Sequence, residues 1–399
     1  MPALPLDDSA RAASLSPAET EGGFGVYIHW PFCLSKCPYC DFNSHVMRDV
    51  PEEAYIDAII RELTYFRTLS GPRTLTSLFF GGGTPSLMTP QAVTRLIDAV
   101  AGLWHMPQGT EISMEANPTS VETAYLKGYK GGGVNRISLG VQALSDDDLR
   151  FLGRLHSVGE ALQAVKLARD VFERVSFDLI YARPAQTPAS WRRELEEAIS
   201  YAADHLSLYQ LTIEPGTAFE KLFKAGSLLP PSADDAATLY EVTQEVCAKA
   251  GFGAYEVSNH AKPGAECRHN LVYWRYGDYA GAGPGAHGRL SVEGKKIATE
   301  TERLPSRWQA AVMRAGHGLT RTEEIAPAEQ GDEMMMMGLR LSEGVPLARY
   351  EKLSGRIIEE KRLALLEKDG LITRRGGQLY ATARGRMVLD KLLGELLVE

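Results

Sequence analysis

Cys33, Cys37 and Cys40 stand in the run W-P-F-C-L-S-K-C-P-Y-C-D-F-N-S-H, residues 30–45, as a C-x-x-x-C-x-x-C set. Grouped thiolates ligate metal, and three of them satisfy three irons of a four-iron cubane while leaving the fourth open. An open, electron-rich iron can chelate a small molecule through its amino and carboxylate groups. The competing reading is a zinc knuckle completed by a nearby side chain such as His45, because structural zinc takes four ligands. There are five cysteines, an odd number with three clustered near the start, so a reducing, cytoplasmic setting is expected and a disulfide framework is not.

Other residues able to do chemistry lie outside that run. Gly81, Gly82 and Gly83, followed by Thr84, let the backbone approach a ligand closely, although an isolated glycine run is as readily a tight turn. Glu115 and Asp178 can accept from hydroxyls or an ammonium, Gln142 can donate or accept, and Arg154 can pair with a carboxylate. Each of these four, taken singly, is equally a solvated side chain or a structural ion pair. A second cluster is C-R-H-N-L-V-Y-W-R-Y-G-D-Y-A-G-A-G-P-G-A-H-G, residues 267–288, which holds Tyr273, Trp274, Tyr276, Tyr279, two histidines and a thiol. Such a segment can line a flat apolar ligand, with His269 as an axial iron ligand and Cys267 and His287 as weaker candidates. It can equally pack one domain on another. Cys247, in a helical pattern, reads as core.

The elements that must position these residues alternate. Short apolar runs at 26–30, 77–80, 111–114, 136–140, 175–180 and 205–211 read as buried strands separated by helices. Between the first two, Tyr55, Ile59, Leu63 and Phe66 make the stripe of a helix packed on a sheet. Six such units in series predict a partial (β/α)6 barrel of the TIM-like α/β class. The cysteine run, the glycines, Glu115, Gln142 and Asp178 then fall late in or just after successive strands, at the end of the barrel that carries active sites.

Around this barrel, expected at 23–260, the sequence suggests a leader at 1–22, an aromatic and histidine-rich linker at 261–300, and a helical, winged-helix-like domain at 301–399. Asp332 begins its first helix, Met334 to Met337 form an adaptable packing surface, Gly376-Gly377 turn a hairpin, and residues 383–397 close with another helix. A formal charge of −8, from 43 basic and 51 acidic residues, argues against nucleic acid as a partner. No run of 18 apolar residues occurs, so no membrane-spanning helix is expected.

The runs Y-I-H-W-P-F-C-L-S-K-C-P-Y-C-D-F-N-S-H, F-F-G-G-G-T-P-S, E-A-N-P, R-I-S-L-G-V-Q and F-D-L-I-Y-A-R-P resemble radical S-adenosylmethionine (SAM) proteins of the oxygen-independent coproporphyrinogen III oxidase family. Y-E-V-S-N-H-A-K-P-G-A-E-C-R-H-N-L-V-Y-W is similar to the haem-chaperone branch of that family, whose H-N-x-x-Y-W motif is associated with haem binding. The resemblance implies a 4Fe-4S cluster on Cys33, Cys37 and Cys40. It implies SAM contacts at Tyr27, Tyr39, Gly82, Gly83, Thr84, Glu115, Gln142, Arg154 and Asp178. It makes His269 the haem-linked residue, with Tyr273 and Trp274 as an apolar wall. The oxidase branch continues C-x-C after the third cysteine, whereas Cys40 is followed by Asp41 and Phe42. The resemblance therefore implies a haem chaperone serving acceptor haemoproteins, respiratory ones at the cytoplasmic face of the membrane, with the radical enzyme that decarboxylates coproporphyrinogen III as the alternative.

Overall fold

The computed structural model describes residues 21–397, so residues 1–20 of the expected leader lie outside it. Six strands stand side by side in chain order and run parallel: β1 (Phe24–Trp30), β2 (Ser77–Gly82), β3 (Glu111–Ala116), β4 (Arg136–Gln142), β5 (Arg174–Tyr181) and β6 (His205–Gln210). Their side chains alternate with the pleat. One set, including Val26, Ile28, Leu78, Phe80, Met114 and Phe177, joins the surrounding helices in a single apolar core. The other set faces the barrel interior and is polar: Glu111, Ser113 and Glu115 on β3, Arg136 and Ser138 on β4, Ser176 and Asp178 on β5.

The helix Glu52–Ser70 shows why the layers hold. Tyr55, Ile59, Leu63 and Phe66 share one face and all are buried. Each such side chain contributes about 1.5–3 kcal/mol when taken out of water. Gly71, at φ 66°, ends the helix in a conformation that other residues resist. Later crossovers start on side-chain caps: Thr89 accepts from the Ala92 amide, and Ser157 with Glu160 forms a capping box.

Two expectations need correction. Residues 261–300 are not a linker, because Asp278–Ala282 forms a seventh parallel strand, β7, beside β1. The sheet then continues antiparallel through His287–Val292, Lys295–Thr301 and Leu319–Glu324, and at its other edge Asn259–Ala261 and Gly253–Ala254 add antiparallel beyond β6, making twelve strands in all. Glu293 and Gly294, with φ of 50° and 80°, form the tight turn between the first two of these strands. A boundary at 300 would cut this extension. The separate C-terminal core instead gathers residues such as Met334, Met335, Leu363, Leu379 and Leu392 around a three-stranded sheet, Val345–Pro346, Gln378–Ala381 and Ile372–Arg375. A continuous closing helix over 383–397 is also not observed: it breaks at Val388 (φ −126°, ψ 34°) into Ala383–Met387 and Leu389–Leu396. Among the described residues, no helix is long and apolar enough to cross a membrane.

Candidate functional site

A cavity of about 520 Å³ opens at the C-terminal ends of the parallel strands. Cys33, Cys37 and Cys40 line one side of it, on the loop that leaves β1. Two short strands close the base of this loop, with Phe32 opposite His45 and Cys33 opposite Val46. The Cys40 amide donates to the Cys37 carbonyl (3.2 Å), which tightens the turn between them. Each thiol has a polar neighbour: Thr84 Oγ1 donates to Cys33 (3.4 Å), Arg154 to Cys37 (3.4 Å), and Ser44 Oγ lies 3.9 Å from Cys40. Burial pushes the Cys33 and Cys40 thiols up, so deprotonation there requires a positive ligand.

Three thiols turned into one cavity, each with a hydrogen-bonding neighbour, fit the donor set of a cluster with one open iron. Among the described residues, no group of three or more His, Cys, Asp or Glu is arranged to hold a single metal ion. A cubane spreads its thiolates over different irons. When bound, such a cluster supplies one-electron reduction to a molecule chelated at its open iron.

Across the cavity lie the groups that would hold that molecule. Gly82 adopts φ 116°, and a Cβ on Gly83 would meet Phe32 O at 2.8 Å, so this loop needs glycine to sit against the cysteine loop. The Gly82 amide donates to Glu115 (3.3 Å), and Ser138 Oγ donates to Asp178 (3.2 Å). Removal from water and then the charge of Asp178 raise Glu115 to about 8; removal from water raises Asp178 to about 6 despite the serine hydrogen bonds. Both carboxyls are thus poised to gain from a cation or from ribose hydroxyls. Gln142 sits at φ 74°, where β4 slips register against β5, and its buried Oε1 has no partner. A strained glutamine with an unpartnered acceptor beside a cavity is a candidate binding feature. Arg154 lies on the wall of the same cavity. It reaches Cys37, the Asn117 side chain and the Gly140 carbonyl.

The structure thus brings Cys33, Cys37, Tyr39, Cys40, Gly82, Gly83, Thr84, Glu115, Gln142, Arg154 and Asp178 to one cavity. Tyr27 stands apart from its lining. Its hydroxyl meets His29 Nδ1 (2.9 Å), and its ring stacks on Phe79 and His269.

His269, Tyr273 and Trp274 lie at the opposite end of the barrel, on the helix Arg268–Trp274. The His269 ring joins Ser77 Oγ (2.8 Å) and Tyr273 OH (2.7 Å), its amide donates to Glu111 (3.1 Å), and it stacks on Phe79. Ser77 and Glu111 begin β2 and β3, whereas Gly82 and Glu115 of the same strands line the cavity. A strand of this length separates the two groups by roughly 15 Å. The imidazole is 1% exposed, and burial, followed by the charge of Arg136, lowers it to about 3. In this arrangement neither ring nitrogen is free to meet iron. Arg340 lies over the Trp274 ring at 4.7 Å, so the aromatic segment forms a floor between the barrel and the C-terminal unit.

Sequence reasoning missed several cavity residues, including Asn117, Ser138, Tyr209 and Ser258. Ser138 was within reach, because R-I-S-L-G-V-Q and R-V-S-F-D-L-I-Y alternate polar with apolar residues, the mark of strands with a polar inner face. Asn117 carries no pattern of its own.

Comparison with known proteins places this geometry. The Radical SAM superfamily model matches residues 27–198, and the HemN C-terminal domain model matches 325–388. The chain is 38% identical to radical S-adenosyl methionine domain-containing protein 1, mitochondrial, of Bos taurus, across 98% of this chain and 91% of that protein. It is 37% identical to the heme chaperone HemW of Escherichia coli, across 94% of this chain and 98% of that protein. The solved coproporphyrinogen III oxidase HemN of Escherichia coli shares the fold, with a TM-score of 0.79 at 23% identity over 94% of this chain and 89% of that one. The chain therefore belongs to the radical SAM superfamily, in the family that contains the heme chaperone HemW.

Proposed function

We propose that this protein is a haem chaperone: it binds haem and passes it to acceptor haemoproteins, and it carries a 4Fe-4S cluster on Cys33, Cys37 and Cys40 with SAM at the open iron. The observation that carries this reading is identity of 33–37% to several bacterial heme chaperones HemW over 94% of the chain. Phe42 supports it, because it lies at the cavity edge, 57% exposed, where the oxidase branch would have a further cysteine. Glu115, Asp178 and Gln142 orient SAM, while Arg154 and Thr84 support the thiolates. The acceptors are respiratory haemoproteins, met by this protein in the cytoplasm at the inner face of the membrane.

The test is to titrate haem anaerobically into the reconstituted protein and, in parallel, to supply SAM, reductant and coproporphyrinogen III. The expected result is a saturable Soret band and no porphyrin product. Turnover on the order of one per second, or even a hundredfold slower, without haem binding would show the oxidase instead.

A further inference from the structure

The three sulfurs of the cysteine loop are not served alike. Ser44 Oγ stands by itself, 3.9 Å from Cys40. The donors to Cys33 and Cys37 instead converge on one side chain, Asn117, in the turn that leaves β3. Its Nδ2 donates to Thr84 Oγ1 (3.2 Å), and that hydroxyl donates to Cys33 Sγ (3.4 Å). Its Oδ1 accepts from Nη2 of Arg154, while Nη1 of the same guanidinium donates to Cys37 Sγ (3.4 Å).

Chemistry fixes the direction of every bond in this fork. A guanidinium can only donate, so the amide oxygen of Asn117 faces Arg154 and its nitrogen faces Thr84. Having accepted from Asn117, the Thr84 hydroxyl keeps its own proton for sulfur. Both arms therefore end in an N–H or O–H aimed at a thiolate. The fork is also anchored behind. The Asn117 amide donates to Glu122 Oε2 (2.8 Å) and Ser86 Oγ (3.3 Å), and both of those side chains are buried and bonded to each other. The Gly140 carbonyl accepts from Arg154 Nη2 (3.0 Å), and a Cβ on Gly140 would crowd that nitrogen at 3.3 Å.

Given a 4Fe-4S cluster on these cysteines, the reading on which this inference rests, we propose that Asn117 sets the reduction potential of the cluster by aligning Thr84 and Arg154 on Cys33 and Cys37. Hydrogen bonds to the sulfurs are one of the levers that set such a potential. Reduction adds negative charge, and donors pointed at sulfur stabilise it, so they raise the potential. Linked donors also polarise one another, and Thr84 is buried, where the effect of each bond is stronger. Asn117 touches no sulfur itself; it is a positioning residue that orients the groups that do.

The test is an anaerobic, spectroscopically read redox titration of the full, reconstituted chain, without SAM or haem, with cluster iron and melting temperature recorded for each variant. Asn117→Leu has nearly the same size and removes both arms. At the wild-type midpoint it should lower the ratio of reduced to oxidised cluster by about tenfold, a shift of about 59 mV for one electron. Asn117→Ser, smaller and polar, should lower it in the same direction and keeps the test valid where leucine disturbs the turn. Thr84→Val removes the Cys33 arm alone and should lower the ratio less. Combined with Asn117→Leu, it should add less than it does by itself, because the two residues act as one chain. Ser44→Ala, outside the fork, should leave the midpoint near that of the wild type. The proposal is overturned if both Asn117 variants hold the cluster at the wild-type midpoint, if the Asn117→Leu and Thr84→Val effects simply add, or if Ser44→Ala shifts the midpoint as far as Asn117→Leu. It also falls if the Asn117 variants melt like the wild type yet hold no cluster, since the residue would then serve assembly and not potential. Wild-type protein that takes up no iron and sulfide would end the cluster reading itself.

Discussion

Cys33, Cys37 and Cys40 line the cavity, whereas Cys247 and Cys267 are buried elsewhere, so no fourth thiol stands ready to replace a lost one. Changing any one of them to Ser should reduce cluster iron and sulfide after anaerobic reconstitution to less than about half, because a cubane already short of one protein ligand has none to spare. Cys247→Ser should leave cluster content intact and cost about 1–3 kcal/mol of stability, since Cys247 is wholly buried in the apolar core. Full iron content in Cys37→Ser would sink the assignment. Glu115 allows a pH-resolved test. Held at about 8 before ligand binds, it is mostly protonated at pH 7, and an ammonium placed beside it favours the carboxylate. SAM binding to the reconstituted protein should therefore release a proton at pH 7 and none well above pH 8. Calorimetry in buffers of different ionisation enthalpy reads this directly, and proton uptake at pH 7 would reverse the assigned role. The cysteine set was legible in the sequence because its spacing is itself the chemistry. The strain at Gln142 and the reach of Arg154 to sulfur were not, since both depend on a register slip in β4 and on a loop 117 residues away in the chain.

The cysteine loop is held from outside by a turn far along the chain. Gly285 adopts φ 77°, and a Cβ there would run into the Asn43 side chain that clamps the loop. Asn43→Ala removes two donors to carbonyls and one contact with His45, and should cost about 1–3 kcal/mol while making reconstituted cluster decay faster in air. A variant with wild-type melting temperature and decay rate would show that the clamp is incidental. The helix Glu52–Ser70 was readable from its stripe, because a long amphipathic helix repeats its message over five turns. The strands past Asp278 were not. Their inner and outer faces mix glycine, alanine and charge, and Arg73 and Lys296 converge on buried Asp278 only once the sheet has formed. The helix Arg268–Trp274 is too short to show a period. Its aromatic density suggested a ligand wall, but Ser77 and Glu111, 192 and 158 residues away, draw His269 inward and make it a floor.

The molecule thus has two distinct ends. One gathers the thiols, the glycine loop and the poised carboxyls around a cavity; the other is closed by an aromatic helix that the C-terminal unit grips through Arg275–Glu343 and through Arg349 on the Arg275 and Tyr276 carbonyls. A chaperone carries haem and gives it away, so haem transfer is the property to measure. Haem-loaded, cluster-reconstituted protein should be mixed anaerobically with the apo form of a respiratory haem-b protein, the two separated, and haem counted in each by its Soret band. Haem should move to the acceptor faster than release from the carrier alone allows. Haem that stays with the carrier, or that moves no faster than it dissociates, would contradict it.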